Sequence, residues 1–464
     1  MGQKQQPADL ISEPKKRRRV GFSPIDVGVE PKDCFTIYLV SSKSEVDAPD
    51  GFCIDPIDLS QFFDDDGKIY GYQGLKIVVW VSSLSFHSYA EVNYESSSDG
   101  GKGITDLKLA LQRIFADTLV ENKNDFLQSF STDRNYIRSI VADAANLGNP
   151  ALNSIDISNA CSDGNASALE AFRLFAGSMP AGQLYSRLIP LVLLLVDGSS
   201  PIDVTDPRWE LYVLLQKKPS EQGDTQYLLV GFSAVYRFFH YPDTCRLRLS
   251  QILVLPIYQH KGYGRYLLEL LRNVAITENV YDYTVEEPLD YFQHVRTCVD
   301  IKHLLAFNSI QPAVDLAVSE LQQVKLSKRS ITSSFLPPSS TIEEVRKSLK
   351  INKKQFLKCW EVLIYLGLEP AEKYMENFVT FISDRVRAEI LGRDSGIVGK
   401  QVKEVPSEYK EDMSFVMFKT GAGEVTSTVQ LDENQANQEE QIQKLVDERV
   451  EAIKVICQTQ KQKA

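Results

Sequence analysis

Short apolar blocks rich in β-branched and aromatic residues mark the first part of the chain, and apolar residues three or four apart mark its end. Residues 34–40 and 75–81 read as strands on that enrichment. Between them Asp64-Asp65-Asp66-Gly67 reads as a turn with three adjacent carboxylates. Residues 106–127 carry helical spacing at Leu107, Leu109, Leu111, Ile114, Phe115 and Leu119. The stretch 145–168, rich in Asn, Ser, Asp and Gly, reads as a looped boundary.

The middle has a different rhythm. An apolar segment begins at Phe172, and the fully apolar run 191–196 is expected to be a short buried strand. Residues 211–216, 227–239 and 245–255 follow as strands, separated by turn clusters at 217–226 and 240–244. In the second cluster Pro242 fixes φ and Asp243 can hydrogen-bond its own backbone. Three strands joined in this way predict an antiparallel meander. Helical spacing over 262–276 and another strand at 281–285 complete the order meander, helix, strand.

Past residue 310 the pattern is mostly helical. Thr341-x-x-Glu344 predicts a capping box, and Asn352 predicts the cap of a helix whose apolar face holds Phe356, Leu357, Trp360, Leu363 and Ile364. Segment 395–438 is polar and without a period. Ile442, Leu445, Val446, Val450 and Ile453 then form an amphipathic stripe that either packs inward or meets a partner. Two short helices with a tight turn also fit a DNA-binding helix-turn-helix, but acidic surroundings and the lack of a basic recognition face argue against it.

At 464 residues the chain suggests roughly three domains. It is 43% hydrophobic and 24% charged, which excludes a fibrous or wholly disordered chain. Net charge is −11, unevenly placed. Residues 1–22 hold six basic and two acidic groups, a net of +4, leaving 45 basic and 60 acidic side chains, or −15, for the rest. An acidic body repels nucleic acid and favours cationic partners, so no direct DNA binding is expected. The basic residues cluster in Pro14-Lys15-Lys16-Arg17-Arg18-Arg19-Val20, which reads as a nuclear import signal, the alternatives being a solvated charge run or a nonspecific nucleic-acid arm. The seven cysteines include no Cys-x-x-Cys pair and no Cys/His metal spacing, so reduced thiols and no metal are expected. The longest apolar run, 188–196, is interrupted by Pro190 and spans about half a membrane. Gln6 stands where a myristoylation signal needs Ser or Thr. The chain is therefore expected to be neither secreted nor membrane-anchored.

The stretch that carries chemistry is Gln251-Ile252-Leu253-Val254-Leu255-Pro256-Ile257-Tyr258-Gln259-His260-Lys261-Gly262-Tyr263-Gly264-Arg265. A strand ends, a turn with two glycines follows, and a helix begins at once. Backbone N–H groups at a helix start lack intrahelical partners and carry the positive dipole end, so a pyrophosphate fits there. The spacing lacks the Gly-Lys-Ser end of a Walker loop and the first glycine of the dinucleotide fingerprint. On these residues alone, a tight strand-to-helix turn without a ligand remains open.

Strand, Gln-x-x-Gly-x-Gly, helix and strand in this order resemble motif A of the GNAT acetyltransferase superfamily. The specific string, with Ile202-Asp203-Val204-Thr205-Asp206-Pro207-Arg208-Trp209, Tyr241-Pro242-Asp243, Glu286-Glu287-Pro288 and Gly71-Tyr72-Gln73-Gly74-Leu75-Lys76-Ile77, resembles the catalytic subunits of type B histone acetyltransferases. The resemblance covers about residues 35–365. It implies an α+β fold: a GNAT core with a mixed, largely antiparallel sheet flanked by helices, an N-terminal α+β domain and a C-terminal helical domain. The expected divisions are a basic tail at 1–30, the N-terminal substrate-binding domain at 31–150, the acetyltransferase core at 151–310, the helical domain at 311–394, and a polar linker with an amphipathic helix at 395–464.

The resemblance further implies acetyl-CoA as co-substrate. The backbone of Ile252, Leu253 and Val254 would hold its pantetheine arm, and Gln259, His260, Lys261, Gly262, Tyr263, Gly264 and Arg265 its pyrophosphate. Glu286 and Glu287 match the family's base positions. Asp197 falls on a third family carboxylate, one methylene shorter than the usual glutamate. Adjacent carboxylates on a strand point to opposite sides, so one at most is expected to face the thioester directly, the other acting through water or a bent strand end. The implied substrate is the basic N-terminal tail of free histone four, with contacts at Asp64, Asp65 and Asp66, at Trp209, and at Tyr236, Arg237 and Phe238. Leu289 stands where relatives often carry a polar side chain. A histone-binding WD-repeat chaperone partner and a location in nucleus and cytoplasm are also implied. The rival readings are a GNAT enzyme for another amine and a non-enzymatic histone chaperone.

Overall fold

The computed structural model describes residues 27–48, 51–63, 66–148, 169–219, 225–323, 335–368, 372–390 and 435–461. Two compact units emerge. One takes in the described residues up to Phe126 except 82–86, and the other takes in 82–86 and those from Leu127 onward.

In the first unit the elements are α1 (Pro31–Cys34), β1 (Phe35–Val40), α2 (Lys43–Asp47), β2 (Phe52–Ile54), β3 (Tyr72–Gln73), β4 (Lys76–Ser82), β5 (Ser88–Asn93), β6 (Ser96–Ser97) and α3 (Leu107–Phe115). Four strands form one sheet in the order β2-β1-β4-β5, with β3 and β6 as a separate pair. Alternation places Ile37 and Leu39 of β1 and Ile77 and Val79 of β4 in the core. The single helix expected over 106–127 is two. Asp106 caps α3 by accepting from Leu109 N–H (3.0 Å), and Ala116, at φ 44°, turns the chain out of it. Asn122 then accepts from Asp125 N–H (2.9 Å) and starts α4 (Lys123–Thr132).

The second unit opens with α5 (Tyr136–Ile140), β7 (Ala145–Asn146), β8 (Leu169–Phe175), α6 (Met179–Leu195), β9 (Trp209–Pro219), β10 (Thr225–His240), β11 (Thr244–Val254), α7 (Tyr263–Thr277) and β12 (Tyr283–Val285). Its sheet runs β12-β11-β10-β9-β8-β7. Every neighbouring pair is antiparallel except β11 with β12. The expected meander is therefore present, joined by the Tyr241-Pro242-Asp243 turn. The inner face of α7 packs Tyr266, Leu267, Leu270 and Leu271 onto Tyr212, Leu247 and Leu249 of the sheet.

The apolar run 191–196 is not a strand. It forms the last turns of α6, with Pro190 inside the helix and Leu188, Leu191, Val192 and Leu194 buried. A helix buried on several sides shows no apolar stripe, so periodicity cannot separate it from a buried strand.

Among the described residues six α-helices follow: α8 (Asp290–Leu305), α9 (Gln311–Gln323), α10 (Ser339–Leu349), α11 (Lys353–Gly367), α12 (Glu372–Ile390) and α13 (Gln435–Lys461). The expected capping box does not form. Helix α10 starts two residues before Thr341, at Ser339 after Pro338, and Glu344 instead accepts a hydrogen bond from Ser309. Asn352 does cap α11, accepting from Gln355 N–H (3.0 Å). The last amphipathic stripe packs inward. Ile442, Val446, Val450 and Ile453 share one core with Trp360, Phe356 and Phe378. Segment 395–434, like the basic cluster at 14–20, lies outside the described residues.

Candidate active site

Two irregularities in the sheet shape the site. Ala234 opposes Gln251 while Val235 opposes Leu249, so Ser250 is an extra residue in β11, a β-bulge. On the other side of β11, parallel pairing with β12 ends at Leu249 opposite Val285, closed by Glu286 N–H donating to Leu249 O (2.9 Å). Residues 251–254 continue bonded to β10 alone, so among the described residues no strand lies along their second edge. That edge includes the expected Ile252, Leu253 and Val254.

Beyond β11 the chain makes a tight turn over Pro256–Tyr258 and folds back on itself. Gln259 Nε2 donates to Val254 O (3.0 Å) and Lys261 Nζ to Ile257 O (3.2 Å). His260 (φ 60°) and Gly262 (φ 85°) are left-handed, a conformation glycine adopts without strain. The first helical bond of α7 runs from Tyr266 N–H to Gly262 O (3.0 Å), so the N–H groups of Tyr263, Gly264 and Arg265 have no intrahelical partner. A Cβ on Gly262 would meet nothing within 4 Å, and one on Gly264 would meet only Val254 Cγ2 at 4.0 Å. A free strand edge leading to a helix start around open space fits an extended amide arm followed by a pyrophosphate, which is the build of acetyl-CoA.

The three expected carboxylates meet. Asp197, Glu286 and Glu287 line one cavity of about 790 Å³, together with Ser250, Gln251 and Leu289. Asp197 sits in a turn directly after α6, where Gly198 (φ 62°) reverses the chain. Glu286 lies just past β12. Ser250 Oγ donates to its Oε2 (2.6 Å), and Arg248 stands 3.9 Å from its Oε1. Of the two routes expected for the second glutamate, the bent strand end is the one present: Glu287 has left the strand at φ 32° and lines the same cavity as Glu286. The lining also includes Arg296, Lys354, Lys358 and Glu389. Burial, and then the positive charges of Lys354, Arg449 and Arg296, hold the Lys358 ammonium below the ordinary lysine range.

The expected tail-binding residues divide. Trp209 and Tyr236 meet edge to face at 4.9 Å, and Tyr236 and Phe238 at 4.5 Å. Arg248 lies 4.4 Å over the Phe238 ring, so this aromatic group adjoins the Arg248–Glu286 pair. Tyr236 also donates to Asp206 (3.0 Å), whose carboxyl Arg208 holds well below the usual range. Arg237 is committed elsewhere, bonded to the buried Glu210 and to Glu278, which Arg173 also binds. In the first unit Asp66 is already paired, with Tyr70 and with Lys102 (2.9 Å), and these hydrogen bonds lower its pKa to about 2. Asp64 and Asp65 lie outside the described residues.

Sequence reasoning missed Ser250, Gln251, Arg296 and Lys358 as lining residues. A single-residue bulge leaves no trace in apolar periodicity, and Lys358 arrives on a helix remote in sequence.

Residues 27–197 match the family model described as "Histone acetyl transferase HAT1 N-terminus". The chain is 56% identical over 460 residues to a histone acetyltransferase type B catalytic subunit of Arabidopsis thaliana, covering 99% of this chain and 98% of the relative. It is 45% identical to a protein of the same description from Zea mays, covering 95% and 92%. Among solved structures, an aminoglycoside acetyltransferase from a soil metagenome aligns with 35% of this chain and 92% of its own at 14% identity and a TM-score of 0.21.

Proposed function

Because the chain belongs to the histone acetyltransferase type B catalytic subunits, we propose that it acetylates lysines in the N-terminal tail of free histone four by direct transfer from acetyl-CoA. The observation that carries this reading is the convergence of Asp197, Glu286 and Glu287 on one cavity, next to the unpaired edge of β11.

Acetyl-CoA, when bound, supplies the acetyl group as an activated thioester. The free edge at Ile252, Leu253 and Val254 offers backbone groups to an extended amide arm, and the N–H groups of Tyr263, Gly264 and Arg265 offer donors to phosphate oxygens. A lysine amine is protonated at neutral pH, its ordinary pKa being about 10.4, and must lose a proton before it attacks. Glu286 is the base: Ser250 fixes one of its oxygens, and the other, 3.9 Å from Arg248, accepts that proton. Glu287 and Asp197 add negative charge that favours a cationic side chain in the cavity. Trp209, Tyr236 and Phe238 offer ring faces to lysine stems and ammonium groups.

An overall charge of −11 supports a basic protein tail as substrate over DNA. The cluster at Lys15–Arg19 supports nuclear entry of an enzyme that otherwise works in the cytoplasm. A histone-binding WD-repeat chaperone is the proposed partner. The test is to incubate the purified chain with acetyl-CoA and free core histones, and separately with nucleosomes, and to map acetylation by mass spectrometry. Modification of free histone four above the other histones is expected. Equal modification of a small polyamine and of the tail would overturn the substrate assignment.

A further inference from the structure

The loop that carries Asp197 is held by a network the catalytic reading does not use. Gln251, on β11 next to the Ser250 bulge, sends its side-chain Nε2 to Ser199 Oγ (2.7 Å) and to Ser200 O (2.7 Å). Its Oε1 receives the hydroxyl of Tyr185, on α6, at 2.8 Å. The Tyr185 oxygen in turn accepts from Ile202 N–H at 3.1 Å.

The polarity of this network is fixed by chemistry. Ser200 O can only accept, so the Gln251 amide must turn its NH2 that way and its oxygen toward Tyr185. Ile202 N–H can only donate, so Tyr185 must spend its own proton on Gln251. Burial pushes the Tyr185 phenol up, which keeps that proton in place. Both residues are buried, Tyr185 fully and Gln251 to 3% exposure, so water does not replace a lost partner cheaply. Three bonds thus tie residues 199, 200 and 202 to β11 and α6, while Val196, Asp197, Gly198, Ser199 and Ser200 all border the cavity.

We propose that Tyr185 and Gln251 are positioning residues, a buried clamp that fixes the Asp197 turn in the acetyl-transfer cavity and so supports turnover through Asp197. This rests on the acetyltransferase reading above. Displacement of a reacting group by about 1 Å can cost on the order of 100-fold in rate. A loop released at one of three bonds is expected to lose about 10-fold.

The test is a double-mutant cycle on steady-state acetyl transfer, with Tyr185→Phe, which deletes one oxygen from a packed ring, and Asp197→Asn. Wild-type activity on histone tails is measured first; its absence would overturn the acetyltransferase reading and with it the clamp's part in turnover, whereas activity with an unaffected Tyr185→Phe variant would overturn the clamp alone. With activity present, Tyr185→Phe is expected to lower kcat about 10-fold with the KM for acetyl-CoA unchanged. In the Asp197→Asn background the same change should cost less than 2-fold, by non-additivity. Ser199→Ala, at the half-buried end of the network, provides a second cycle should the core variant not fold, with the same dependence on Asp197. Equal losses in both backgrounds, an unchanged kcat in Tyr185→Phe, or full activity in Asp197→Asn would each overturn the proposal.

Discussion

Ser250 and Glu286 lie 36 residues apart in sequence, yet the Ser250 hydroxyl donates to Glu286 Oε2 over 2.6 Å. The bulge in β11 and the end of β12 make that contact, so the irregular points of two strands define the position of the proposed base. Glu286→Gln keeps the hydrogen bond but removes basicity. It is expected to lower kcat by about 100-fold or more with little change in melting temperature, since Glu286 is exposed. Ser250→Ala should cost less, about 10-fold, because the carboxylate remains. Single-turnover rates and thermal melts check both.

The loop before α7 leaves open space at Gly264, whose nearest neighbour to an added Cβ is Val254 Cγ2 at 4.0 Å. Gly264→Val is therefore expected to fold normally and to fill the space a phosphate chain would use. Calorimetric titration with CoA should show affinity reduced by about 10-fold or more, on the order of 1.4 kcal/mol.

Tyr236 and Arg237 are sequence neighbours with different tasks. Trp209→Ala or Phe238→Ala should raise the KM for a basic tail peptide several-fold, with the KM for acetyl-CoA unchanged. Arg237→Leu should act on stability instead, because it removes one of the two guanidinium partners of the buried Glu210, leaving Arg173 and Tyr212 to hold it. Losing one charge-assisted bond of such a cluster should cost about 2 kcal/mol, read from denaturant midpoints.

Glu278 ties into the same cluster. Burial pushes its pKa up, but the hydrogen bond from Arg237 and the charge and hydrogen bond of Arg173 outweigh burial and set it below the usual 4.5. Its contribution to stability is complete above the unfolded value of 4.5 and is lost as pH falls through the lower folded value. Urea midpoints should fall as pH drops below about 4.5, and Glu278→Gln should flatten that slope while lowering the plateau at neutral pH.

Helix α13 is bound into the fold by charge as well as by its apolar stripe. Arg449 pairs with the buried Glu361 (2.6 Å), which also holds Arg385 (2.5 Å), and Arg449 reaches Glu389 (2.7 Å). Glu361→Gln leaves two guanidinium groups short of a counter-charge and should cost about 3 kcal/mol. Deleting residues 435–464 should expose Trp360 and its neighbours and leave the protein aggregation-prone, as dye binding to apolar surface would report.

Much of the architecture was legible because β11 buries alternate residues, α7 carries apolar residues at helical spacing, and turn residues bracket the strands of the meander. The strand assigned to 191–196 failed for the converse reason: the end of α6 is apolar on several sides, and its sequence carries no face. The box at Thr341 and Glu344 failed because Pro338 starts the helix early and leaves no orphan N–H for Thr341 to cap. Within the site, Asp197, Glu286 and Glu287 were readable through resemblance, whereas the Ser250 bulge and the Gln251 network exist only once strands are in register. Arg237 looked like a surface contact because its sequence does not show the two carboxylates that claim it.

The central claim is that carboxylates lining one cavity drive acetyl transfer to a histone tail. The most direct measurement is the initial rate of acetylation of a histone-four tail peptide by wild-type protein and by the Glu286→Gln, Glu287→Gln double variant at saturating acetyl-CoA. The account predicts measurable wild-type turnover and a loss of at least about 100-fold in the folded double variant. A variant that keeps full turnover, or a wild-type protein that leaves the tail unmodified, would contradict it.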